Sequence, residues 1–159
     1  MSLTEAMRRS KLAIDAHAGS LTDRLAGGAV DPEIFISYSQ ADHAVAEALD
    51  RDLREDGYTT WWAATLVGGD ASHMAITDAL EAARAVIVLW TGVSIRSVWV
   101  RGEAERARVR DKLIPVRVLP LDYADIPPPF NTIFTIDCGR QDAVRSALER
   151  LGVRQRPSA

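Results

Sequence analysis

From Ile34 onward, short runs of apolar residues alternate with longer segments in which apolar residues recur every three or four positions. The short runs are rich in β-branched and aromatic side chains, which suits strands: IFISY (34–38), TTWW (59–62), AVIVLW (85–90), LIPVRV (113–118) and IFTID (133–137). The longer segments carry helical spacing. Val45, Ala48, Leu49 and Leu53 predict a first helix closing at Gly57, and Ile76, Ala79, Leu80 and Ala83 a second. A third follows Ser97, and Val144, Leu148 and Leu151 mark the last. Strands that are apolar throughout are buried on both faces, so the alternation predicts an α/β fold with a parallel sheet between two layers of helices. Right-handed crossovers then favour a flavodoxin-like three-layer sandwich with strand order 2-1-3-4-5. Pro120 and the prolines at 127 to 129 make a regular helix in LPLDYADIPPPFNT (119–132) implausible, and that stretch reads as a surface wrap.

The pattern before this region is different. Leu3, Met7, Lys11, Ile14, Ala18, Leu21 and Leu25 alternate by four and three, a rough heptad seam that Gly27 and Gly28 stop. Residues 1–30 therefore read as a helical arm or linker, with coiled-coil character, residues 31–152 as one globular domain, and 153–159 as a disordered tail.

Composition narrows the function classes. The 159 residues are 47% apolar, with 19 basic against 22 acidic side chains and a formal charge of −3, which leaves no basic footprint for nucleic acid. A single cysteine, Cys138, rules out an internal disulfide and reads as a small half-buried residue. No stretch approaches the roughly eighteen apolar residues of a membrane span, and the start MSLTEAMRRSKL lacks the apolar core of a signal peptide. A reducing cytoplasm is the expected setting.

In a sheet of this order the chain reverses direction between strands 1 and 3, and the loops at their carboxyl ends splay apart to leave a crevice. Ser37, Tyr38, Ser39, Asp42, Thr91, Ser94 and Ser97 collect in those loops. Ser97 is a natural N-cap for the third helix. With that register Val100, Ala104 and Ala107 form the buried stripe, and Trp99 and Glu103 share its border. A carboxylate where core meets crevice can be desolvated and tuned for acid, base or cation-stabilising chemistry. The plainer reading pairs Glu103 with Arg106 on a wet helix face, and pattern alone favours it.

Other constellations are weaker. Gly68 and Gly69 sit in no GxxxxGK[ST] or GxGxxG motif, which argues against a nucleotide-phosphate loop. His17, His43 and His73 have no ligand-spaced partners, so no metal is implied. Ser39, Asp42 and His43 lack a nucleophile elbow, and Asp42 reads instead as a first-turn helix acid. Strand 1 ends in SYS, not the paired acids of a phosphoryl receiver. Trp61 and Trp62 read first as core and rim, with Trp62 placed to face an aromatic ligand.

Taken together, FISYSQAD (35–42), LREDGYTTWW (53–62), ITDALEAARAVIVL (76–89), SIRSVWVRGEAERA (94–107) and LIPVRV (113–118) resemble a bacterial-type Toll/interleukin-1 receptor, or TIR, domain over about residues 32–150. The resemblance implies TIR–TIR self-association, and docking on other TIR domains, through the loop after strand 2, here Leu66, Val67, Gly68, Gly69 and Asp70. It also implies cleavage of NAD at the nicotinamide ribosyl bond, with NAD as substrate and no cofactor. A non-catalytic TIR interaction module in signalling or host mimicry is the alternative. The family's catalytic glutamate, four residues after a tryptophan, falls on Glu103 after Trp99, with Trp99 as its packing anchor. Tyr38, Ser39, Trp62, Ser94 and Ser97 fall on or near its substrate cleft. The chain departs from the family in having Ala63 and Ala64 where an acid often follows the strand 2 tryptophan. It also has LVGGD in place of the Pro-Gly loop tip of animal members, and lacks their third box.

Overall fold

The computed structural model describes residues 32–62 and 70–156, the second stretch with side chains from residue 74 onward. The expected arm at 1–30 lies outside the described residues, as do Leu66, Val67, Gly68 and Gly69 of the expected interaction loop.

Five strands, β1 (Ile34–Ser37), β2 (Thr60–Trp62), β3 (Ala85–Trp90), β4 (Leu113–Arg117) and β5 (Ile136–Asp137), form one sheet in the order β2-β1-β3-β4-β5. Every pairing is parallel. Four helices complete the described fold: α1 (His43–Glu55), α2 (Asp70–Ala82), α3 (Val98–Val109) and α4 (Gln141–Arg150). The expected three-layer α/β sandwich is therefore observed, strand order included.

Strand alternation sorts side chains between two cores. Ile34, Ile36, Ile87 and Leu89 point to the layer of α1 and α4, where Ala46, Leu49, Leu53, Val144 and Leu148 meet them. Phe35, Val86, Val88 and Trp90 point the other way, against Leu80 of α2 and Val100, Ala104 and Ala107 of α3. The α1 stripe is rotated from its expected position, because Ala46 is buried and Ala48 is exposed.

The wrap at 119–132 forms two single 3₁₀ turns, Tyr123–Asp125 and Phe130–Thr132, and no α-helix. It is more than a surface strap: Leu121, Ile126 and Phe130 are buried in the α3-side core, with the Phe130 ring 5.2 Å from that of Trp90. Arg117 holds it down by donating to the Leu121 carbonyl and to Asp137, while its guanidinium lies 3.8 Å from the Tyr123 ring centre.

β5 is shorter than the expected 133–137, and Pro115 explains why. The Val118 N–H donates to Trp90, and the Arg117 carbonyl accepts from Cys138, so odd-numbered residues of β4 face β5. Pro115 faces that side with no N–H to give, and pairing begins one residue later, at Val116 opposite Ile136.

Two further expectations are corrected. Cys138 is exposed rather than half-buried. The segment expected to be a disordered tail from 153 is docked through residue 156: Val153 is buried, the Arg154 N–H donates to the buried Glu33 carboxylate at 2.7 Å, and the Arg156 N–H donates to the Gly57 carbonyl. Residues 157–159 lie outside the described residues.

Candidate functional site

The carboxyl ends of β1 and β3 and the start of α3 converge at the switch in strand order. Ser37 is the last residue of β1, and alternation turns it to the α3 side, following Phe35. It is 1% exposed, and its hydroxyl donates to Glu103 Oε1 at 2.8 Å. Ser97 caps α3 as expected, accepting from the Val100 N–H at 3.2 Å, and this sets the register that brings Glu103 onto Ser37. The plainer reading of Glu103 does not hold, since Arg106 reaches across to Glu81 of α2 and Glu103 turns inward. Burial pushes the Glu103 carboxyl up to about 7, against the opposing pull of the Ser37 hydrogen bond. Tyr38, on the adjoining loop, is pushed up to about 12 by burial and by the nearby Glu103 charge.

The crevice is fastened at its floor. Thr91, just past β3, donates its hydroxyl to Asp42 at 2.6 Å and accepts from the Val93 and Ser94 N–H groups. Asp42 is thus a cross-loop tether more than a first-turn helix acid, and its side chain makes no cap bond to α1. Ser94 is corrected likewise: fully buried, it donates to the Leu89 carbonyl and accepts from the Thr91 N–H, so it braces the loop and does not line the cleft.

Along the flank, Tyr38, His43 and Trp62 form an aromatic cluster, with ring centres 5.2 Å apart for His43 and Trp62 and 5.8 Å for Tyr38 and Trp62. Trp61 is its counterpart on the other face, stacked on Phe35. Ser39 is partly buried and ends the loop, its carbonyl accepting from Asp42. Trp99 does not serve as a buried anchor: it is 59% exposed, and neighbouring Val98 is 80% exposed, both in the first turn of α3. Asp70 opens α2, and the rest of the expected interaction loop lies outside the described residues.

Sequence reasoning placed Glu103, Tyr38 and Trp62 in one neighbourhood, and the structure brings them there. It grouped Ser37 with the crevice polars but gave it no role, although a hydroxyl closing an otherwise apolar strand was the available signal. His43, which the sequence marks only as lacking metal-ligand partners, joins the aromatic cluster because α1 starts there. Among the described residues no group of three or more His, Cys, Asp or Glu could hold a metal ion, and no helix is long and apolar enough to cross a membrane.

The family model for the TIR domain matches residues 34–151. The chain belongs to the TIR domain family. Similar solved structures include a metazoan TIR-STING receptor from C. gigas in complex with 2′,3′-cGAMP, at 24% identity and a TM-score of 0.61 over 73% of this chain. The chain spans 39% of that receptor's length. The TIR domain of the Toll-related receptor TRR-2 from Hydra magnipapillata is another, at 18% identity and a TM-score of 0.60, covering 77% of this chain and 96% of that one. At these identities the likeness is one of fold. No curated protein matches. Within the TIR domain, Glu103 is the partly buried acid at the switch point, and Ser37 is the residue that holds it.

Proposed function

We propose that this TIR domain, of the bacterial type, self-associates and cleaves NAD at the nicotinamide ribosyl bond, yielding nicotinamide and ADP-ribose or its cyclic form. The observation that carries the reading is the Glu103 carboxylate, drawn out of water at the crevice and aimed by a hydrogen bond from the sheet. Breaking the ribosyl bond builds positive charge on the sugar, and a fixed carboxylate beside it stabilises the oxocarbenium-like transition state. Nicotinamide is already cationic within NAD, so it departs as a neutral molecule with the bonding electron pair and needs no proton. Water, or the adenine ring in the cyclising route, then takes its place on the ribose. One carboxylate therefore suffices, and it acts when ionised. The Tyr38, His43 and Trp62 rings offer a stacking surface beside it. The exposed Val93, Val98 and Trp99 favour association between copies. An enzyme of this kind works in the cytoplasm, where NAD is held.

The test is nicotinamide release by the full chain at high concentration or clustered on a scaffold. Glu103→Gln should lower turnover at least about 100-fold while leaving the circular dichroism spectrum unchanged. The wild-type rate should fall as pH drops through about 7, because protonation removes the negative charge. Equal turnover by wild type and variant would remove Glu103 from the chemistry, and none by either would remove the activity and leave a non-catalytic interaction module.

A further inference from the structure

We infer that Ser37 is a positioning residue: its hydroxyl, fixed at the end of the interior strand β1, orients the Glu103 carboxylate for the NAD cleavage proposed above, on which the inference rests. The geometry is specific. Strand β1 lies between β2 and β3 and is paired on both sides, and its last residue is turned by alternation to the α3 side. Ser37 is 1% exposed, and its hydroxyl donates at 2.8 Å to Oε1 of Glu103. A serine at this depth has no solvent to bond, so its donor is committed to the acid.

Charged side chains of α3 and of the β1 loop are engaged elsewhere: Arg106 with Glu81 of α2, Arg108 with Glu105 on α3, and Asp42 with Thr91 across the crevice floor. Tyr38 is the titratable neighbour that faces the carboxylate from the β1 loop. The hydroxyl thus does two things for the acid. It selects one rotamer, and it favours the ionised form against the desolvation that opposes it.

A merely structural serine would affect stability alone, whereas a positioning serine also moves the ionisation of Glu103. The side-chain carboxyl of Glu103 is followed by carbon-13 NMR as a function of pH in the full chain, for wild type, Ser37→Ala and Ser37→Cys. The midpoint should move up by about one pH unit in Ser37→Ala, from loss of a hydrogen bond to a charged group, and by less in Ser37→Cys, whose thiol is a weaker donor. Nicotinamide release measured alongside should show its acid limb displaced by the same interval, with kcat reduced and KM for NAD unchanged. An unchanged Glu103 midpoint in both variants would overturn the inference even if activity fell. Absence of turnover in wild type, with the midpoint displaced as stated, would overturn the catalytic setting while sustaining the hold of Ser37 on Glu103. If Ser37→Ala does not fold, Ser37→Cys, nearly equal in volume, decides by the same midpoint.

Discussion

Glu103 works against the stability of the fold that holds it. Its carboxyl binds a proton more tightly in the folded chain, up to about 7, than at its ordinary value of 4.5. Folding therefore takes up a proton between those two values, and the contribution of Glu103 to stability is greatest below 4.5 and is lost as pH rises through about 7. Over that interval, at about 1.4 kcal/mol per unit, the decline is about 3 kcal/mol. Glu103→Gln, which keeps an acceptor for Ser37 but does not titrate, should gain stability over wild type by about that amount on going from pH 4.5 to pH 8. Urea unfolding at the two pH values measures it, and a gain that does not grow with pH would show that the carboxylate is not desolvated. The same variant should lose turnover, the usual trade between a stable fold and a strained site.

At the scale of elements, what decides position is often a single polar side chain at an end. Lys112, just before β4, is buried and extends its ammonium to the Leu80, Glu81 and Ala83 carbonyls at the carboxyl end of α2, at 2.6, 3.1 and 2.8 Å. It satisfies acceptors the helix cannot, and its positive charge suits that end of the dipole. Lys112→Met, similar in length, should destabilise the domain by about 3 kcal/mol, read as a lower urea midpoint. Much of this layer was legible in sequence because period and burial coincide: Val100, Ala104 and Ala107 are all buried as their spacing predicts, and β3 has its expected limits. The misses have local causes. Ala46 and Ala48 are equally good stripe residues, so the phase of α1 depended on the sheet it meets. Pro115 deleted a donor whose importance depends on which neighbour β4 turns to. Ser94 and Asp42 looked like cleft residues because polarity in a loop does not say whether a side chain faces solvent or its own backbone. Trp99 was misjudged for the opposite reason, since a large aromatic at a stripe border is ordinarily buried.

Across the whole molecule, the chain closes on itself at the end of the sheet opposite the site. Glu33, immediately before β1, gathers Arg84, from the link between α2 and β3, and Arg154 from the C-terminal segment, and Arg156 pairs through its backbone with Gly57. Gly57 has a φ of +93°, and an added Cβ would strike the Arg156 carbonyl. Ending the chain after Gly152 removes the buried Val153 and the bonds from the Val153, Arg154 and Arg156 N–H groups, and should cost about 3 kcal/mol in thermal or urea unfolding. Because these contacts lie at the amino end of β1, the Glu103 midpoint should stay where it is in the truncated chain. A displaced midpoint would mean the two ends of the sheet are coupled.

Two of the tryptophans, Trp90 and Trp99, also make the domain legible to light. Trp90 is fully enclosed, and its indole N–H has no hydrogen-bond partner, so its emission belongs at the short-wavelength end of the indole range and records whether the layer is closed. Trp99, more than half open to water in the first turn of α3, belongs at the long-wavelength end, and an arriving molecule that covers it changes its colour while Trp90 stays constant. A pair of Trp→Phe variants at Trp61 and Trp62 would leave those two signals alone in the spectrum, one reporting the core and the other the surface one turn before Glu103.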